Sequence, residues 1–222
     1  MPAQAHRFSQ EITCTQTLDY LLYLPDDYGQ DPTRRWPLIL FLHGVGERGT
    51  DVNRVAIHGP IRAAENGTDL PFIVIAPQCP LHHWWSDFQP ALIGLVDEVS
   101  EAYAVDPARV YLTGLSMGGY GAWHLALEYP ERFAAVAPIC GGVIFAYDFP
   151  ERAAALRDVP VWAFHGLLDD VVPVQETAKL VAALQAAGGN VKMTIYPDKM
   201  HDSWTETYAN PELYAWFLSH QL

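Results

Sequence analysis

The sequence predicts an α/β fold: a mostly parallel sheet flanked by helices in three layers. Three observations predict it. Seven short runs are continuously apolar rather than alternating, the pattern of strands buried on both faces of a parallel sheet. Segments with apolar residues at helical spacing lie between several of them. The chemically versatile residues sit just after the apolar runs, where open α/β sheets bind ligands at the carboxyl ends of their strands.

The elements follow in order. "LDYLLYL" (18–24), "WPLILFLHG" (36–44) and "PFIVIAP" (71–77) are predicted strands. "PALIGLVDEVSEAYAV" (90–105) is predicted helical, with Pro90 suited to a first turn. The strand "RVYLTGLS" (109–116) leads into the helix "GGYGAWHLALEYP" (118–130), which ends before Pro130. "FAAVAPICG" (133–141) and "VPVWAFHG" (159–166) are further strands. "VQETAKLVAALQAAGG" (174–189) is a helix with Gly188-Gly189 as its stop. The strand "VKMTIYP" (191–197) and the helix "NPELYAWFLSHQL" (210–222) complete the chain. No repeat or linker interrupts this order, so residues 1–222 are expected to form one domain around a sizeable core.

Composition narrows the partners. With 26 acidic against 13 basic residues, the formal net charge is −13. That disfavours nucleic acid and anionic membrane surfaces and leaves a small molecule as the expected partner, with homo-oligomers allowed. Cys14, Cys79 and Cys140 are far apart and form no C-x-x-C pair, so buried thiols are expected rather than disulfides or a metal site. The N-terminal segment lacks the apolar region of a signal peptide, which predicts a cytoplasmic protein. No apolar run approaches the ~20 residues of a membrane span.

The chemistry concentrates around "YLTGLSMGGYGAW" (111–123), which contains a G-x-S-x-G pentapeptide centred on Ser116. Such a pentapeptide alone is a weak signal. Between a strand and a helix it describes a sharp turn that lifts the serine hydroxyl clear of the backbone. Serine needs a base to take its proton, and the base needs a third group to fix its tautomer. His201 in "DKMHDSW" follows the last strand and is the expected base. "HGLLDDVVP" (165–173) offers Asp169 and Asp170 as the acid, which the residues alone barely separate. Stabilising an oxyanion requires preorganised donors. The backbone N–H of Met117 and that of Val45, in the glycine-rich loop "HGVGERGTD" (43–51), are the expected pair. That loop lacks the Lys-Ser/Thr ending of a phosphate-binding loop.

Five blocks in order, "LILFLHGVGERGTD", "IVIAPQCP" with the following Trp84-Trp85, "VYLTGLSMGGYGAW", "FHGLLDDVVP" and "HDSWTETYANPELYAWFLSH", resemble the α/β-hydrolase esterases. The nearest branch is that of predicted peptidases and phospholipase/carboxylesterase-like proteins, related to polyhydroxybutyrate-depolymerase-like and feruloyl esterases. The resemblance runs from about residue 18 to the end. It implies the α/β-hydrolase fold, Ser116 as nucleophile, His201 as base, Asp169 as acid, a second oxyanion donor just after His43-Gly44, and no cofactor. The implied activity is that of a serine carboxylesterase acting on short- to medium-chain or aryl esters; the alternative is a small serine peptidase of the same fold.

The stretch 140–159 is too short for a helical cap, so a minimal lid or none is expected, with an open site. Gly44, Trp84, Trp85, Phe145, Tyr147 and Trp204 are the candidate substrate contacts, the aromatics offering a rigid apolar wall. Ordinary core packing is the competing account of each aromatic. Arg48 is expected to pair with neighbouring Glu47.

Overall fold

The seven apolar runs form one seven-stranded sheet in the computed structural model, which describes residues 3–10, 13–143 and 152–222. The strands are β1 (Tyr20–Tyr23), β2 (Trp36–Leu42), β3 (Ile73–Pro77), β4 (Val105–Leu115), β5 (Ala135–Ile139), β6 (Val161–Gly166) and β7 (Val191–Tyr196). Their spatial order is β1-β3-β2-β4-β5-β6-β7. Only β1 runs antiparallel to its neighbour; the remaining pairings are parallel.

Continuous apolarity in the strands has a direct physical cause. Successive side chains point to opposite faces, and both faces here are covered. Leu38, Leu40 and Leu42 of β2 pack with α2 (Gln89–Ala102), α3 (Met117–Glu128) and α4 (Val174–Ala186) in one core. Ile39 and Phe41 enter a second core with α1 (Gly59–Glu65), α5 (Trp204–Ala209) and α6 (Pro211–Leu218). Every residue of β2, β3, β5 and β6 is therefore buried.

Three expectations are corrected. The second helix ends at Ala102 rather than 105, and β4 begins at Val105 rather than 109. Tyr103 is already extended, and the Ala104 carbonyl accepts the Trp36 N–H at 2.7 Å. Pairing of Val105 with Trp36, followed by a register shift, draws this segment into the sheet. Cys14 is exposed, whereas Cys79 and Cys140 are buried as expected. Among the described residues, no helix is long and apolar enough to cross a membrane.

The strand order sets the position of the site. From β2 the chain moves outward to β3, then returns to lay β4 on the other side of β2. Such a reversal opens a crevice at the carboxyl ends of the two adjacent strands. Leu42 and Gly114 are register partners there, so the segments starting at His43 and Leu115 emerge side by side.

Candidate active site

Ser116 stands at the turn between β4 and α3 with φ 52° and ψ −116°, a conformation that costs about 1–3 kcal/mol for a residue with a side chain. The flanking glycines make the turn possible. A Cβ on Gly118 would lie 1.8 Å from the Leu42 carbonyl oxygen, and one on Gly114 would lie 2.3 Å from the Gly118 carbonyl oxygen. Strand and helix thus cross at backbone contact, which explains the spacing of the pentapeptide.

An unbroken chain of hydrogen bonds leads away from this serine. Its Oγ is 2.9 Å from His201 Nε2, and His201 Nδ1 is 2.8 Å from Asp169 Oδ2. An ionised carboxylate only accepts, so His201 carries its proton on Nδ1 and presents a bare Nε2 to the Ser116 hydroxyl. Asp169 Oδ1 accepts from the backbone N–H groups of Val171 and Val172, both at 2.9 Å. The Asp169 side chain is fully buried, whereas Asp170 is exposed. Geometry therefore joins Asp169, not Asp170, to the histidine. The loops carrying these residues are tied together: the Leu168 N–H donates to the Lys199 carbonyl at 2.9 Å, and a Cβ on Gly166 would strike the Met200 carbonyl oxygen at 2.1 Å.

The loop after β2 is held by its carbonyls. The Gly44 carbonyl accepts from His43 Nδ1 at 2.6 Å and the Val45 carbonyl from Arg48 Nε at 3.3 Å. The Gly46 carbonyl accepts from Arg54 Nη2 at 2.6 Å and the Glu47 carbonyl from Gln78 Nε2 at 2.7 Å. Across a trans peptide the N–H points opposite to the preceding C=O. Holding the Gly44 carbonyl towards the His43 ring therefore turns the Val45 N–H the other way. Val45 opens a short 3₁₀ turn and Met117 opens α3, so neither N–H has a partner within its own helical turn. Gly44 comes close to the serine: a Cβ there would stand 3.7 Å from Ser116 Cβ.

Residues 86–210 match the phospholipase/carboxylesterase family. The chain belongs to that family. A solved thermostable esterase superposes with a TM-score of 0.82 at 36% identity, over 92% of this chain and 60% of that one. A bifunctional acetylxylan esterase/xylanase of Neocallimastix patriciarum is 30% identical over 145 residues, 63% of this chain and 20% of its own. Feruloyl esterase C of Emericella nidulans is 28% identical over 160 residues, 70% of this chain and 56% of its own. The chain thus spans between about a fifth and three fifths of these relatives' lengths.

The predicted substrate contacts separate. Trp204 packs edge-to-face on the His201 ring with centroids 5.3 Å apart, and it also lines a cavity of about 270 Å³ between α1 and α5. Trp84 is 41% exposed. Trp85, expected at the site, is a core residue only 1% exposed. Its indole N–H donates to the His43 carbonyl at 3.0 Å and its ring abuts the His43 ring, because a buried indole needs an acceptor. Phe145 and Tyr147 lie outside the described residues, as does the part 144–151 of the stretch expected to hold no cap. The expected Arg48–Glu47 pair is replaced: Arg48 bonds to the carbonyls of Val45 and His83, while Glu47 is buried 3.9 Å from His43.

Cys140, Asp169 and His201 bring one potential ligand atom each within 4.8 Å of one another. Burial pushes the Cys140 thiol well above its ordinary pKa, so it stays protonated and is a poor ligand. Asp169 and His201 would also have to give up their mutual bond to meet a cation.

His43 and His165 are the residues that sequence reasoning missed. His43 Nε2 accepts the Cys79 N–H at 2.9 Å, so its proton must be on Nδ1. Burial lowers its pKa from 6.5 to about 4, outweighing the Gly44 carbonyl. The sign is plain: between those values the unfolded chain binds a proton that the folded chain refuses. Stability present above pH 6.5 is lost as pH falls to 4, by about 3 kcal/mol in total. Urea unfolding from pH 7 to pH 4 should therefore show a smaller acid-induced loss for His43→Asn than for the wild type. Parallel curves would remove His43 from the account.

Proposed function

We propose that the protein is a serine carboxylesterase working through Ser116, His201 and Asp169. The observation that carries this reading is the continuous bond chain from Asp169 through His201 to Ser116 at the sheet's switch point. In the first half-reaction Ser116 Oγ attacks the ester carbonyl while His201 Nε2 takes the hydroxyl proton. Asp169 keeps His201 in the required tautomer and balances the imidazolium. The Val45 and Met117 N–H groups receive the negative charge on the carbonyl oxygen. His201 then returns the proton to the departing alcohol, which leaves an acyl-Ser116. In the second half-reaction His201 takes a proton from water, the resulting hydroxide attacks the acyl group, and the carboxylic acid departs as Ser116 is restored.

The reading of short- to medium-chain or aryl esters draws on the exposed Trp84, on Trp204 beside His201, and on the activities named for the acetylxylan and feruloyl esterase relatives. The test is kcat/KM for p-nitrophenyl esters from acetate to laurate. We expect a maximum at about two to four carbons, since a wall made of a few rings encloses little acyl chain. A maximum at about eight carbons or more would replace this pocket with a long groove. Failure on every ester, with cleavage of an aminoacyl anilide, would overturn the esterase reading in favour of a peptidase.

A further inference from the structure

We propose that His165 is a positioning residue for the acid: its Nε2–H, shared between the Val172 carbonyl and Asp169 Oδ2, helps hold that carboxylate in line with His201. This rests on the reading of Asp169, His201 and Ser116 given above.

His165 lies near the end of β6, fully buried, in the same His-Gly arrangement as His43-Gly44 at the end of β2. Its Nε2 is 2.9 Å from the Val172 carbonyl oxygen and 3.2 Å from Asp169 Oδ2. Both are acceptors without a hydrogen to give, so the hydrogen in these contacts must be on Nε2. Burial lowers the His165 pKa against the opposing pull of the Val172 carbonyl and Asp169, while His201 adds to the lowering. Asp169 and His201 are the ionisable groups that act on it, and with the pKa lowered from 6.5 the ring is neutral at neutral pH. Its single proton is then fixed on Nε2, and Nδ1 accepts from the Thr177 hydroxyl at 2.8 Å. That hydroxyl has one hydrogen, which it shares between Nδ1 and the Gly141 carbonyl, also at 2.8 Å. The ring is thereby anchored to α4 and to the segment after β5 at once.

The consequence for Asp169 is specific. Oδ1 is fixed by two backbone N–H groups. Without His165, Oδ2 would be held by His201 alone, the one partner whose charge changes during the reaction. His165 supplies a donor that is constant through the cycle. It touches no reacting atom, so it acts through Asp169 and is expected to move kcat rather than KM.

Two measurements test this. Long-range ¹H–¹⁵N correlation on the wild-type protein at neutral pH, with His165 identified by its loss in His165→Gln, should show a protonated Nε2 and a bare Nδ1. A proton on Nδ1 with bare Nε2 overturns the proposal. This readout needs neither a substrate nor a folded leucine variant, so it separates failure here from failure of the esterase reading. Kinetically, His165→Gln places an amide N–H near the Nε2 position, whereas His165→Leu fills the space without a donor. The leucine variant should lose about 10²-fold in kcat with KM little changed, the usual penalty of a small misplacement, while glutamine retains kcat within about fivefold. Equal losses in the two variants, or no loss in the folded leucine variant, would overturn it.

Discussion

Ser116→Ala should lower kcat by about 10⁴–10⁶-fold while leaving the fold intact. The size of the loss follows from the proposed chemistry: without Oγ no acyl-enzyme forms, and only the proposed oxyanion donors and binding remain to accelerate attack by water. The intact fold follows from what the side chain does not do. Ser116 makes no side-chain cap to α3. The structural bonds at this position are backbone ones, from the Ser116 N–H to the Ile139 carbonyl and from the Tyr120 N–H to the Ser116 carbonyl, both 3.0 Å. Alanine keeps both and suffers the same strain at φ 52°, so thermal unfolding should shift little. The check is steady-state hydrolysis of the best p-nitrophenyl ester beside a melting curve. Residual activity within about tenfold of wild type would remove Ser116 as nucleophile.

Much of the fold was legible because its signals are local. A strand buried on both faces has to be apolar throughout, and β2, β3, β5 and β6 are. Gly188, at φ 81°, stops α4 where glycine was expected to. The helices α1 and α5, of seven and six residues, span fewer than two turns and leave no periodic signature. The early start of β4 depends on pairing with Trp36, about seventy residues earlier in the chain.

The candidate site divides along the same line. Ser116, Asp169 and His201 each follow a strand, so the topology that brings them together was implied by their order. Trp85 was misread because tandem tryptophans in a loop look like a wall. Its acceptor is the carbonyl of His43, 42 residues away, which no local pattern reveals. Gln78 was invisible for the same reason, since it acts on the Glu47 carbonyl 31 residues away. His43 and His165 did leave a signal: each precedes a glycine at the end of a buried strand. In both places the glycine lets the chain pass close to the site, and the histidine reaches back to fix the loop that follows.

Asp169→Asn should lower kcat by about 10⁴-fold, whereas Asp170→Asn should change it by less than about twofold. The hydrogen-bond partners of the Asp169 carboxylate in the described residues are donors, the N–H groups of Val171 and Val172 on Oδ1 and the His201 ring on Oδ2, and the His165 ring stands 3.2 Å from Oδ2. An asparagine amide has one oxygen and one NH₂ to place in that setting. The oxygen belongs on the two backbone N–H groups, which turns the NH₂ towards His201. His201 must then accept on Nδ1 and carry its proton on Nε2, so it can no longer take the proton of Ser116. The same NH₂ would face the Nε2–H of His165, which adds strain. Placing the oxygen on His201 instead would set the NH₂ against two backbone donors. No orientation preserves the tautomer. Asp170 is exposed and has no part in this bond chain, so its amide meets no such conflict. Comparing kcat for the two variants on one ester, with melting temperatures as controls, decides the matter: a greater loss from Asp170→Asn would move the acid to residue 170 and leave the Asp169–His201 contact without a catalytic role.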